Sequence, residues 1–183
     1  MAKLSDRGVK SKSEKLIGRR IGIGVCGGIG AVEVIKIIRE LRRHGAEVTP
    51  FFTPGVTDFI TELSVEWAAE RKVVSRIGAG VDHLQTFHLV IVAPATLNTL
   101  SKCALGITDN PVTILVASQF GRNAPLLFVP TMNLDLKRHP LYEEYRNRLR
   151  SWGAEFFESE EDEDRLKMPA PETLAVRAIE MLG

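Results

Sequence analysis

Short apolar runs alternate along the chain with stretches in which apolar residues recur every three or four positions. The first pattern reads as strand, the second as helix. Residues 20–26 form a first strand that runs into Gly27-Gly28. Residues 29–44 place Val32, Ile35, Ile38 and Leu41 at helical spacing. Gly45 closes that helix, since a left-handed cap costs glycine nothing. A second strand spans 47–52, and a short helix follows at 56–60. Residues 65–74 fit neither period. Leu89-Val90-Ile91-Val92 is continuously apolar, as a central strand of a parallel sheet buried on both faces requires. A helix entered through Asn110-Pro111 carries residues 114–118, because proline at a first turn gives up no available hydrogen bond. Strands at 126–129 and 154–157, an amphipathic helix at 141–152 stopped by Gly153, and a closing helix at 171–182 complete the series. Residues 158–164 read as an acidic loop. Strand and helix alternate throughout, which predicts an α/β fold with a doubly wound parallel sheet in one three-layer domain over 16–183.

Composition narrows the picture. A chain of 183 residues suits one such domain, and residues 1–15, polar and Lys-rich, read as a flexible extension. That extension has no apolar signal core, and no apolar stretch nears the roughly 20 residues of a membrane span. A formal net charge of +1 supplies no global field for nucleic acid. Two cysteines, Cys26 and Cys103, make a disulfide framework improbable and suit a reducing cytoplasm. No spacing of metal ligands is present, so no metal is expected.

The candidate chemistry lies where strands end. Gly22-Ile23-Gly24-Val25-Cys26-Gly27 matches GxGxxG in letters only, because its first two glycines fall inside the strand. The working turn is Gly27-Gly28-Ile29-Gly30, where backbone N–H groups can approach an anion at a helix start. The second strand ends in Phe52-Thr53-Pro54 and offers no carboxylate for a ribose hydroxyl, which favours a mononucleotide over a dinucleotide. The strands ending near Thr53, Thr96 and Asn133 all finish in small or polar residues, and the carboxyl ends of parallel strands share one rim.

Four stretches then carry a resemblance. They are Val25-Cys26-Gly27-Gly28-Ile29-Gly30-Ala31; Phe52-Thr53-Pro54; Ala93-Pro94-Ala95-Thr96 through Gly106-Ile107-Thr108-Asp109-Asn110; and Pro130-Thr131-Met132-Asn133. Together they resemble the flavin-containing cysteine decarboxylases, a family that includes phosphopantothenoylcysteine decarboxylase and the lantibiotic peptide decarboxylases. The resemblance implies a flavodoxin-like fold binding FMN, in a homotrimer or dodecamer with the flavin at a subunit interface. It implies cofactor contacts at Gly27, Gly28, Ile29, Gly30, Thr53, Ala93, Pro94, Ala95, Thr96, Asn98, Thr108, Asp109 and Asn110. In the family, FMN oxidises the substrate's cysteine thiol to a thioaldehyde, and the neighbouring carboxylate leaves as carbon dioxide. By that likeness Asn133 holds the carboxylate, His83 moves the proton, and Met132, Lys167 and Met168 contact a small-molecule or peptide substrate containing cysteine.

The chain also departs from the pattern. His83-Leu84 stands about three residues nearer the third strand than the family's histidine. Lys167 stands where arginine is usual, and lysine keeps the charge but loses the fork. No cysteine follows Cys103, where the phosphopantothenoylcysteine enzymes carry one in the closing loop. These departures keep two alternatives open: an FMN-dependent reductase or electron-transfer protein, and a regulatory flavoprotein subunit without turnover.

Overall fold

The computed structural model describes residues 8–78, 85–157 and 159–183. Five parallel strands make the main sheet: β1 (Arg20–Val25), β2 (Glu47–Phe52), β3 (Leu89–Ala95), β4 (Leu126–Pro130) and β5 (Glu155–Phe156). Their order is β2-β1-β3-β4-β5, the flavodoxin-like order. Between and around them lie α1 (Val34–Arg43), α2 (Glu62–Ala69), α3 (Leu97–Ala104), α4 (Pro111–Gly121), α5 (Leu134–Lys137), α6 (Leu141–Ser151) and α7 (Pro171–Leu182). The doubly wound α/β sheet expected from the alternation of patterns is therefore present.

Two-residue alternation explains the layers. In β3 and β4, Leu89, Ile91, Leu127 and Val129 face a core built with α1, α2 and α7. Val90, Val92, Leu126 and Phe128 face the other core, built with α3, α4 and α6. Because both faces are covered, the strands read as continuous apolar runs. Gly24, inside β1, lets α4 approach closely: a Cβ there would lie 2.8 Å from Val112 Cγ1. That packing requirement is the use of a glycine that mimics a dinucleotide motif.

Three local readings change. Residues Ile29–Glu33 form a 3-10 turn before α1, so the helical register starts later than the spacing suggested. Val34, Ile37, Ile38 and Leu41 make the buried face, and Val32 is 40% exposed. The stretch at 65–74 resolves into α2, capped by the Thr61 hydroxyl accepting from Ser64 N–H, then a bridge from Val74 to Phe51. Within the acidic stretch a two-stranded hairpin forms from β6 (Glu161–Asp162) and β7 (Arg165–Leu166). Gly45 and Gly153 do take left-handed backbone, at φ 95° and 97°.

The expected extension over residues 1–15 is described from residue 8 onward, and there it lies along α1. Lys12 N–H donates to Arg43 C=O at 2.8 Å, and Leu16 N–H to His44 C=O at 2.8 Å. Lys12 Nζ meets Glu40 Oε1 at 2.6 Å, while Arg43 holds the other carboxylate oxygen at 2.7 Å. The Glu40 side chain is only 1% exposed. Burial pushes its carboxyl up, but the hydrogen bonds and charges of Lys12 and Arg43 outweigh this and hold it below its ordinary 4.5. A depressed carboxylate stabilises the fold above the unfolded pKa, and that stability is lost as pH falls through the folded value. Glu40→Gln should therefore lower stability at pH 7 by about 1–3 kcal/mol. It should also flatten the acid limb of a urea-midpoint-against-pH curve below about pH 4.5. An unchanged acid limb in the variant would remove Glu40 from this role.

Candidate functional site

β2 and β3 flank β1 on opposite sides, so the chain leaves the carboxyl end of β1 one way and returns the other. A crevice must open where those connections part, outside the strand ends. A cavity of about 770 Å³ occupies that place. One wall brings together Gly27, Thr53, Pro54, Gly55, Thr96 and Asn110, the ends of β1, β2 and β3 and the start of α4. Its size falls within the usual range for small-molecule and cofactor sites.

Each element contributes for a local reason. Gly27 must be glycine because an added Cβ would sit 2.7 Å from the Gly55 carbonyl oxygen. Gly27 N–H donates to Thr53 Oγ1 at 3.1 Å, which ties the first turn to the end of β2. The Thr53 hydroxyl, used there as an acceptor, keeps its own hydrogen for a ligand. Ala31 N–H makes the turn's first bond, to Gly28 C=O, so the N–H groups of Gly28, Ile29 and Gly30 stand ahead of it. Thr96 caps α3, its Oγ1 accepting from Thr99 N–H at 3.4 Å. Asn110 caps α4 in a reciprocal box with Thr113, its Oδ1 accepting from Val112 and Thr113 N–H at 3.1 and 3.2 Å. Two full helix N-termini and a 3-10 turn thus open onto one crevice, a setting that favours negative charge.

Other expected residues lie around this wall. Ile29 and Gly30 line an adjoining cavity of about 280 Å³ together with Thr131, Lys167 and Met168. A Cβ on Gly28 would only touch Thr96 Cγ2 at 3.7 Å, and one on Gly30 would crowd Thr131 Cγ2 at 2.9 Å. Ala93, Pro94 and Ala95 are buried in the last turn of β3, with a cis peptide at Ala93–Pro94. Thr108 and Asp109 are exposed and stand outside the large cavity's lining. Asp109 meets Lys102 Nζ at 2.5 Å, and bonds from Lys102 first and Asn110 next hold its carboxyl below the usual range. Asn98 lines the large cavity.

Asn133 caps α5, its Oδ1 accepting from Leu136 N–H at 2.9 Å. The hairpin is stitched beside it: Leu134 N–H bonds Asp164 C=O, Leu166 N–H bonds Met132 C=O, and Asn133 pairs with Arg165 as an antiparallel bridge. Thr131 Oγ1 lies 3.2 Å from Met168 Sδ. The residues expected to contact substrate, Met132, Asn133, Lys167 and Met168, are therefore neighbours at one corner of the rim, with the Met132 side chain buried in the core. His83 lies outside the described residues. Cys26 and Cys103 are free and buried. Burial pushes both thiols up, which unfits them as nucleophiles.

The sequence reading missed several cavity residues. Ser101 and Lys102 stand three and four positions after Asn98 on the same face of α3, so helical periodicity could have found them. Leu136, His139, Leu141 and Tyr145 arrive from α5, α6 and the turn between them, and no local motif marks them.

The rim fits the expected group, one phosphate on a flat ring, on two observations. The Gly27–Gly55 approach leaves a cradle that a Cβ would fill, and beside it the glycine turn and the start of α3 present N–H donors to an anion. Among the described residues no group of three or more His, Cys, Asp or Glu side chains could hold a metal ion, and no helix is long and apolar enough to cross a membrane.

Comparison with known proteins follows the same line. The family model described as Flavoprotein matches residues 9–182. A coenzyme A biosynthesis bifunctional protein CoaBC from Thermococcus kodakarensis is 36% identical over 179 residues, 94% of this chain and 44% of the relative. The chain spans less than half the length of the curated relatives it matches. Among solved structures, the FMN-dependent cysteine decarboxylase SpaF superposes with a TM-score of 0.77 at 23% identity, covering 90% of this chain and 98% of that one. A PPC decarboxylase mutant complexed with pantothenoylaminoethenethiol gives 0.77 at 21% identity, covering 87% and 96%. These two structural likenesses establish the fold.

The Gly27–Gly55 contact sets a test. Gly27→Ala should cost about 1–3 kcal/mol in urea denaturation, as overpacking against backbone does. Gly28→Ala, with ordinary contact and extended backbone, should cost less. The reverse order of the two would contradict the cradle geometry.

Proposed function

The chain belongs to the Flavoprotein family, and from that premise we propose that it is an FMN-dependent carboxy-lyase acting on a cysteine-derived carboxylate. The single observation that carries this reading is the crevice between β1 and β3, with phosphate-type donors at one end and the Asn133 corner beside it. The names of the relative and of the neighbours favour phosphopantothenoylcysteine as the substrate class. Gly27, Gly28, Thr53 and Asn110 would hold the phosphate end of FMN, and Thr96 and Asn98 its polar ring edge. When bound, FMN supplies a two-electron acceptor for the substrate's thiol-bearing carbon.

The protein's own part is to orient and enclose. Asn133 Oδ1 is committed to the Leu136 N–H, so its amide hydrogens are the groups left for a substrate carboxylate. A neutral donor suits a carboxylate that must depart as uncharged carbon dioxide, because it orients the group without permanently neutralising it. Lys167 and Met168 face the same small cavity as Gly30 and close it from the hairpin side. His83 is the proposed proton carrier. Assembly into a trimer or dodecamer, with flavin between subunits, belongs to the same reading. The exposure of Ile29 at 61% and Leu63 at 72% supports it, since these apolar side chains would be covered by a neighbour. Two free cysteines suit the cytoplasm.

FMN-loaded protein should release carbon dioxide from phosphopantothenoylcysteine. Asn133→Asp keeps an oxygen for the Leu136 N–H but sets a negative charge against the substrate. It should lower kcat by about 100-fold while leaving FMN binding intact. No carbon dioxide from that substrate or from peptides ending in cysteine would overturn the assignment.

A further inference from the structure

The large cavity has a second end that neither the glycine turn nor the strand ends explain. There its wall is made by Leu136, His139, Leu141 and Tyr145. Leu136 and Leu141 expose hydrocarbon, 43% and 37%, and Tyr145 is largely buried. Against that apolar surface His139 is exposed. Its ring is nevertheless held in one orientation.

Its backbone and its ring are both tied. His139 N–H donates to Leu136 C=O at 3.2 Å, and His139 C=O accepts from Tyr142 N–H at 2.9 Å. Nδ1 accepts from Leu141 N–H at 3.2 Å, at the start of α6. A ring nitrogen that accepts cannot carry the proton, so the neutral imidazole is the Nε2–H tautomer. Nε2–H makes no hydrogen bond to any described residue. Asn133, Leu136 and His139 follow at intervals of three along α5 and its exit turn, which extends one line of side chains from the carboxylate corner to the cavity's far end.

We propose that His139 is a cofactor-binding residue, donating Nε2–H to an acceptor oxygen or nitrogen of the ring system bound in the large cavity. The inference rests on the reading that FMN occupies this cavity. Its chemistry is that of a single fixed donor in an apolar wall: it selects the ring's acceptor edge and holds the ring in register with the Asn133 corner.

The competing account is that His139 merely caps α6, and the variants separate the two. His139→Asn keeps an acceptor for Leu141 N–H, two residues on, and removes Nε2–H. Flavin-stripped full-length protein would be titrated with FMN, following flavin fluorescence and the visible spectrum, with thermal midpoints measured in parallel. We expect an unchanged midpoint for His139→Asn, FMN affinity weaker by about tenfold, and displaced flavin absorption bands. His139→Gln, with a longer amide donor, should recover most of the affinity, whereas His139→Leu should not. Wild-type affinity and spectrum in His139→Asn would overturn the proposal. Should the Asn variant fail to fold, equal affinities for the Gln and Leu variants would do the same. A wild-type protein that takes up no FMN would instead end the reading on which this inference rests.

Discussion

β1 is hydrogen-bonded on both edges and covered on both faces, and the crevice at its carboxyl end follows from that burial. A central parallel strand can be continued only through crossover helices, and helices on both faces require one crossover to turn each way. The turns after β1 and β3 therefore separate, and the space between them cannot be filled by either connection. What remains for the sequence is to decide how near the loops may come. At Gly27 the answer is backbone against backbone: only hydrogen at the α-carbon permits the Gly55 carbonyl to lie where it does. The crevice and its tight mouth are thus one consequence of topology and one of a missing side chain.

Charge at this rim comes from oriented peptide groups more than from ionised side chains. The net charge of the chain is +1, and Lys102, the lysine lining the large cavity, is held by Asp109. Asp109 is in turn bonded by the Asn110 amide, whose oxygen caps α4. Lysine, aspartate and asparagine therefore form a relay. It fixes Asn110 for capping and keeps the Lys102 charge local, which leaves the N–H groups of the α3 start and the glycine turn as the donors at the rim. Dipolar donors of this kind need no reorganisation when an anion arrives.

The fold was legible because its signals were local and repeated. Continuous runs such as Leu89-Val90-Ile91-Val92 can only be strands buried on two faces, and Gly45 and Gly153 mark helix ends by their backbone alone. The face of α1 was misread at Val32 because a 3-10 turn of three residues per turn precedes it, which changes the register without changing composition. For the site, Gly27, Thr53, Thr96 and Asn110 were legible since each immediately follows a strand or begins a helix. His139 and Tyr145 were not. They reach the cavity from α6 and its approach, and their neighbours in sequence say nothing about which strand end they face. Asp109 illustrates the converse: its motif is intact, yet its side chain serves Lys102 beside the cavity.

The hairpin over the substrate corner shows how a charge argument from sequence can be softened by geometry. An acidic stretch folded beside such a corner would repel an anion if its charges stood unpaired. In the structure two of its carboxylates meet cations: Glu161 pairs with Lys137, and Glu163 lies 2.5 Å from Arg165 and 3.8 Å from Lys167. Each such pair is exposed and worth little in stability, but together they offset part of the local negative charge. The hairpin keeps its place by other means. Backbone bonds join it to Met132 and Leu134, and Leu166, only 5% exposed, enters the core between the two basic residues that flank it. Arg165 and Lys167, on either side of Leu166, both turn onto the small cavity beside Gly30. The residue two positions before Lys167 is thus an arginine on the same cavity, its guanidinium held by Glu163 and its backbone bridged to Asn133.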